Sequence, residues 1–245
     1  RLAKKGTELL LQELLEELSK APHSLEEQKK LCASSGISFQ FRRCGAVLIA
    51  AEHISGGILQ PVCEQYCRNK NAVCLGKLGQ NCCVLIDLSD VFSQAEQQER
   101  SYAFVEGLRA CIADYLNAKA AVGIGGVGSG DGGIYTAIRQ AETALEYRFY
   151  GYKIYRYSDL PSDGRIPEAA EALLLREDRQ GDTGEKLYRI STEAFASLRK
   201  AMIHPDRVRE WFAALLKDPA VQDGFQNTLD EMEEYWLASA VTISK

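Results

Sequence analysis

The chain has 245 residues, 46% hydrophobic and 26% charged, with a mean hydropathy of −0.22, which describes one globular domain or a domain with a helical appendage. A net charge of −5 and a pI near 5.4 argue against nucleic-acid binding by this stretch itself, because neutralising phosphates takes a clustered basic surface. The apolar run at residues 46–51 is far shorter than the roughly 20 residues of a spanning helix, so no membrane segment is expected.

Residues 1–20 read as a helix whose broad apolar face carries Leu9, Leu10, Leu11, Leu14, Leu15 and Leu18, with Glu13, Glu16 and Glu17 outside and Pro22 ending it. Ser24-Leu25-Glu26-Glu27 is a capping-box pattern that starts a second helix reaching about Cys32. Leu11, Leu14 and Leu18 make the first helix a candidate signalling or dimer helix, with packing against the chain's own domain as the open alternative. A first strand lies within 38–51, at its most generous 39–49. A helix follows at about 58–68 with Pro61 near its first turn, where a missing N–H costs little. Two β-prone runs, 72–77 and 82–88, flank Leu78-Gly79-Gln80-Asn81 and read as a hairpin. Val105, Leu108, Ile112 and Leu116 then mark a long helix over about 93–117.

Residues 120–124 are a short buried strand leading into glycines. From Ile134 the period changes: Ile134, Ile138, Ala141 and Leu145 share one helical face, and Arg139, Gln140, Glu142 and Glu146 take the other. Gly151 ends that helix, and Tyr152, Ile154, Tyr155 and Tyr157 supply a second β-prone run. Gly123-Ile124-Gly125-Gly126-Val127-Gly128 formally matches a dinucleotide fingerprint, whose glycines bring a pyrophosphate to a helix N-terminus. The glycines continue to Gly133 before helical periodicity begins, and no acid ends the strand that follows. A flexible surface loop is therefore expected.

The eight cysteines show no paired C-x2-C units, and His23, His53 and His204 are scattered. Reduced thiols acting as small core residues are expected, with no metal and no cofactor; a zinc site on Cys63 and Cys67 is the alternative. His53 beside Cys63 or Cys67 could form a thiol–imidazole pair, but no spacing requires it, and a partly exposed histidine after a strand is the preferred reading.

Pro161-Ser162-Asp163-Gly164 is a turn-rich boundary, after which come a short helix at 168–176, an exposed loop at 177–185 and three helical patterns. Leu187, Ile190, Ala194 and Leu198 mark the first, Val208, Phe212 and Leu215 the second, and Val221, Phe225, Leu229, Met232 and Trp236 the third. Phe225 and Trp236 make a second candidate interaction surface. Asp230, Glu231, Glu233 and Glu234 crowd the last pattern and argue against a helix-turn-helix reader.

Three segments carry a family resemblance: Val122-Gly123-Ile124-Gly125, the run Ala137-Ile138-Arg139-Gln140-Ala141-Glu142-Thr143-Ala144-Leu145, and Ile154-Tyr155-Arg156-Tyr157-Ser158-Asp159-Leu160. They resemble the end of the degenerate GGDEF-like domains of bacterial transcription regulators, in which that domain sits between a receiver and an AraC-type helix-turn-helix domain. The resemblance implies an α+β, nucleotide-cyclase-like sheet with packed helices. It divides the chain into connecting helices at 1–36, the domain at 37–160, and a helical segment at 161–245 leading towards a DNA-binding domain outside the chain. An active cyclase of this kind uses carboxylates to hold two metal ions on a triphosphate. This chain has Gly79-Gln80-Asn81 where the family has Asp and Glu, and near Ala50-Ala51-Glu52 it keeps one acid. The expectation is therefore a catalytically inactive, cytoplasmic regulatory segment of a two-component response regulator. Its partners would be a second copy in a homodimer and the receiver and DNA-binding domains of the same protein, with DNA contacted only through the latter. The alternatives are a nucleotide- or metabolite-binding sensor using Glu52, Gly79, Gln80 and Asn81, or an active cyclase.

Overall fold

The structure is a computed structural model and describes residues 2–37, 42–161, 165–168, 170, 192–194 and 196–216. From Cys44 onward the first strand, β1 (Arg43–Ala51), is buried at every residue. A strand covered on both faces needs apolar side chains throughout and shows no period-two alternation. Cys44, Ala46, Leu48 and Ala50 enter one core, and Val47, Ile49 and Ala51 enter another.

The other strands are β2 (Ala72–Leu78), β3 (Asn81–Asp87), β4 (Ala120–Ser129) and β5 (Ile154–Arg156), and the sheet order is β2-β3-β1-β4-β5. Every pairing is antiparallel except β4 with β5. The helices of this region are α1 (Leu2–Lys20), α2 (Leu25–Ser34), α3 (Gly56–Cys67), α4 (Gln94–Leu116) and α5 (Gly133–Glu146). The unit β1-α3-β2 has β3 inserted between its strands, and β3-α4-β4 has β1 inserted; these two interleaved units form a split βαβ sheet. Helices α3 and α4 bury Leu59, Cys63, Val105, Leu108 and Ile112 on one face. Helices α1, α2 and α5 bury Leu14, Leu15, Leu18, Cys32, Ile134 and Ile138 on the other. The class is α+β.

Two of the boundaries that differ from the sequence reading change the packing. Helix α3 begins at Gly56, so Pro61 lies in its second turn and withholds an N–H from the Gly57 carbonyl. The glycine run is not a surface loop, because β4 extends through it to Ser129. A β-carbon added at Gly123 would overlap the Ala141 carbonyl oxygen, one at Gly125 the Ala137 carbonyl oxygen, and one at Gly128 the Gly133 carbonyl oxygen. These glycines let the α5 backbone lie directly on β4. The ladder pairs Gly45 with Val127 and Val47 with Ile124, so Ala46 opposes both Gly125 and Gly126 across a bulge. The bulge resets the side-chain parity and keeps both glycines under α5, where the Gly126 N–H donates to Gln140 Oε1 at 2.8 Å.

The turn between β4 and α5 is tied to the second helix. Leu25 N–H donates to Asp131 Oδ1 at 2.7 Å and Gly132 N–H to the His23 carbonyl at 2.7 Å, beside the capping box of Ser24 and Glu27.

Helix α1 closes the β2 edge of the sheet. The half-buried Gln12 amide donates to the Lys77 carbonyl and accepts from the Lys77 N–H, both at 2.9 Å, as a neighbouring strand would. Gly76 lacks the β-carbon that would strike Gln12 Oε1. An open strand edge invites pairing with other chains, and this side chain blunts it. Leu14 and Leu18 lie inside the chain's own core and Leu11 packs against it, so that face is occupied; Leu9, 60% exposed, and Leu10, 45% exposed, point outward from α1.

The chain divides into two compact units between Leu160 and Pro161. In the second, a helix spans Pro205–Leu216, and Ala194, Leu198, Val208 and Trp211 are buried. The Trp211 indole donates to the Ala170 carbonyl at 2.9 Å. Phe225 and Trp236 lie outside the described residues.

Candidate functional site

The residues singled out as ligand-binding candidates meet at one end of the sheet. Glu52 follows β1 and fixes its backbone by donating its N–H to the Lys119 carbonyl at 2.9 Å. Gly79 and Gln80 form the two-residue turn of the β2–β3 hairpin. The φ of +61° at Gly79, with Gln80 on the ordinary side, is the pattern of a type II′ turn. The start of α3 rests on that turn: a β-carbon at Gly56 would stand 3.0 Å from both the Gln80 and the Asn81 carbonyl oxygens.

Two further residues reach this end that the sequence reading did not single out. Arg148, in the 3-10 turn Tyr147–Tyr150, donates from Nη1 to Asn81 Oδ1 at 2.8 Å. Tyr152 has its phenol pushed up first by burial and then by the Glu52 charge, with Arg148 acting in the opposite direction. The run Tyr147-Arg148-Phe149-Tyr150-Gly151-Tyr152 sets one cation among aromatics, which was the available signal. Nothing in it points to a partner 67 residues earlier.

Among the residues placed here are the Glu52 carboxylate, the Asn81 amide, which already accepts a guanidinium proton, and that Arg148 guanidinium. A pair of divalent cations needs several hard anionic oxygens, and the Arg148 charge opposes them. The set can hold a polar organic group; it is a poor cradle for a metal-bound triphosphate.

Seven of the eight cysteines are buried, and Cys111 is half-buried. Cys63, Cys67, Cys74 and Cys82 are buried together under α3, with the Cys74 and Cys82 sulfurs 3.4 Å apart, while adjacent Cys82 and Cys83 enter opposite cores. Among the described residues no three of these thiols come within joint ligating reach. Burial pushes the Cys44 thiol up to about 12 and the Cys32 thiol up to about 11; hydrogen bonding with Cys63 and Cys74, and then burial, raise Cys82 well above its ordinary value. Such thiols stay protonated and unreactive near neutral pH. His53, with φ +58°, is exposed, whereas Cys63 and Cys67 are buried, so no thiol–imidazole pair forms.

A cleft of about 360 Å³ lies at the opposite end of the sheet, where β1 begins and β4 and β5 end. Arg43, Arg156, the backbone of Gly125 and Gly126, Ser129 and the first turns of α4 line it. Arg43 stacks over Phe92 at 4.8 Å, and Arg156 lies 5.4 Å from the Tyr102 ring. The glycine run thus reaches a cavity, but Glu52 does not share it. The nine residues of β1 separate the two by about 27 Å.

No family model matches the chain, and no curated protein sequence matches it.

Proposed function

We propose that this chain is the catalytically silent regulatory segment of a cytoplasmic two-component response regulator, carrying a change of state from a receiver to AraC-type DNA-binding domains that lie outside it. The resemblance to degenerate GGDEF-like domains supports the family. The acidic charge supports DNA contact elsewhere, and the amides of Gln80 and Asn81 at the hairpin turn, where the family carries carboxylates, support the absence of nucleotide chemistry. Assembly as a homodimer belongs to the same proposal, with the outward leucines of α1 as the surface that favours it.

The observation that carries the relay is the clasp between α1 and the sheet edge. Gln12 holds Lys77 by two hydrogen bonds next to the turn bearing Gly79, Gln80 and Asn81. Leu14, Leu15 and Leu18 anchor α1 in the core while Gln12 ties it to the strand edge, so a displacement at the start of the helix is passed to β2 beside the hairpin turn. Gln12→Ala removes both bonds and costs about 1–3 kcal/mol, which leaves the domain folded. In the full regulator this variant is expected to abolish the signal-dependent change in reporter transcription while DNA binding persists. Unaltered signal dependence, alongside faster amide exchange in α1, would remove the relay and leave α1 a cover for the sheet.

A further inference from the structure

We propose that the cleft at the Arg43 end of the sheet binds a small molecule bearing phosphate groups. The inference goes beyond the relay reading and stands whether or not that reading holds. Its first support is charge. The chain carries a net −5, yet this cavity is lined by two arginines and by no carboxylate.

The second support is placement. Arg43 and Arg156 belong to β1 and β5, the strands on either side of β4, and in the ladders Arg43 faces Ser129 while Arg156 faces Ile124. The two arginines therefore stand at opposite ends of the Ile124–Ser129 stretch of β4, which faces four residue steps of β1 across the bulge, about 13 Å at strand rise. Between them Gly125 and Gly126 form the wall of the cleft, the Gly126 N–H being held by Gln140, and the Ser129 hydroxyl and the Gln98 amide stand alongside as donors. Donors from several directions match a tetrahedral phosphoryl group better than a planar carboxylate, which takes its hydrogen bonds near one plane. The volume suits a ligand of mononucleotide size.

The third support is preorganisation. Each guanidinium rests against an aromatic ring, and Arg43 also donates to the Val91 carbonyl at 3.3 Å, so little side-chain freedom remains to be lost on binding. Arg156 pairs with Asp159 at 2.6 Å, but the two side chains are 40% and 50% exposed. An exposed pair of this kind contributes about 1 kcal/mol at most, so a multiply charged phosphate displaces Asp159. Phe92 is 79% exposed and offers most of its ring to the organic part of the ligand.

The test is thermal melting of the chain at low salt with inorganic pyrophosphate, AMP and adenosine. Pyrophosphate and AMP are expected to raise the Tm by several degrees in a saturable manner, and adenosine to leave it unchanged. Arg43→Gln and Arg156→Gln are each expected to weaken the Kd for both anions by about tenfold or more. Ser129→Asp, at an exposed strand end where folding is not at stake, is expected to abolish the effect, and Lys77→Gln at the hairpin end to preserve it. No shift with either anion, an equal shift with adenosine, or a shift that survives Ser129→Asp would each overturn the proposal.

Discussion

Gly125→Val is expected to leave the chain unable to reach its native state, whereas Gly57→Ala is expected to melt within a few degrees of the parent. The β-carbon at Gly125 would overlap the Ala137 carbonyl oxygen, which is held in the α5 helix, so no side-chain rotation relieves it. Lifting α5 from β4 opens the core that Ile134, Ile138 and Leu145 fill. A backbone clash with loss of core packing costs roughly 4 kcal/mol or more, against a total stability of about 5–15 kcal/mol for a domain. Gly57 has ordinary space, its nearest neighbour being the Lys77 Cδ at 3.8 Å, and alanine relieves about 0.5–1 kcal/mol of backbone freedom in a helix. Circular dichroism and the melting midpoint of the two variants check the contrast. A folded Gly125→Val chain with parent-like Tm would contradict the placement of α5 on β4.

Leu18→Glu should be nearly as damaging, and its comparison with Leu10→Glu separates a core helix from an interface helix. Leu18 is 1% exposed in the chain's own core, while Leu10 is 45% exposed on the same helix. Losing a buried leucine costs about 2–5 kcal/mol, and a carboxylate forced into that space adds to it or pulls the helix off. Leu10→Glu lies on the surface and is expected to change stability by about 0.5 kcal/mol or less. Denaturant unfolding of the isolated chain reads both. Equal midpoints for the parent and Leu18→Glu would show that α1 is not part of this core.

The element order was legible because each helix carries its own stripe: Ile134, Ile138, Ala141 and Leu145 in α5, Val105, Leu108 and Ile112 in α4. The hairpin was legible because Gly79 supplies the positive φ that a two-residue turn requires. The extent of β4 was not legible. Glycine signals a loop by its freedom and a close approach by its small size, and only the α5 backbone across the strand decides between them. The leucine face of α1 reads the same whether a partner or the chain's own sheet covers it; Gln12 on the β2 edge shows that the sheet does. Of the candidate site, the hairpin turn and Glu52 were found from one short stretch each. The Arg148 contact to Asn81 was not, and neither was the Arg43 cleft, since both join residues far apart in the chain.

Incubating the purified chain with GTP and Mg2+ and separating the nucleotides by chromatography tests the central claim of a silent hairpin end most directly. With Gln80 and Asn81 in place of carboxylates and Arg148 holding the Asn81 amide, no cyclic nucleotide or cyclic dinucleotide product is expected above the protein-free control. A product that depends on Mg2+ and disappears in Glu52→Gln would contradict it and make this end of the sheet an active site.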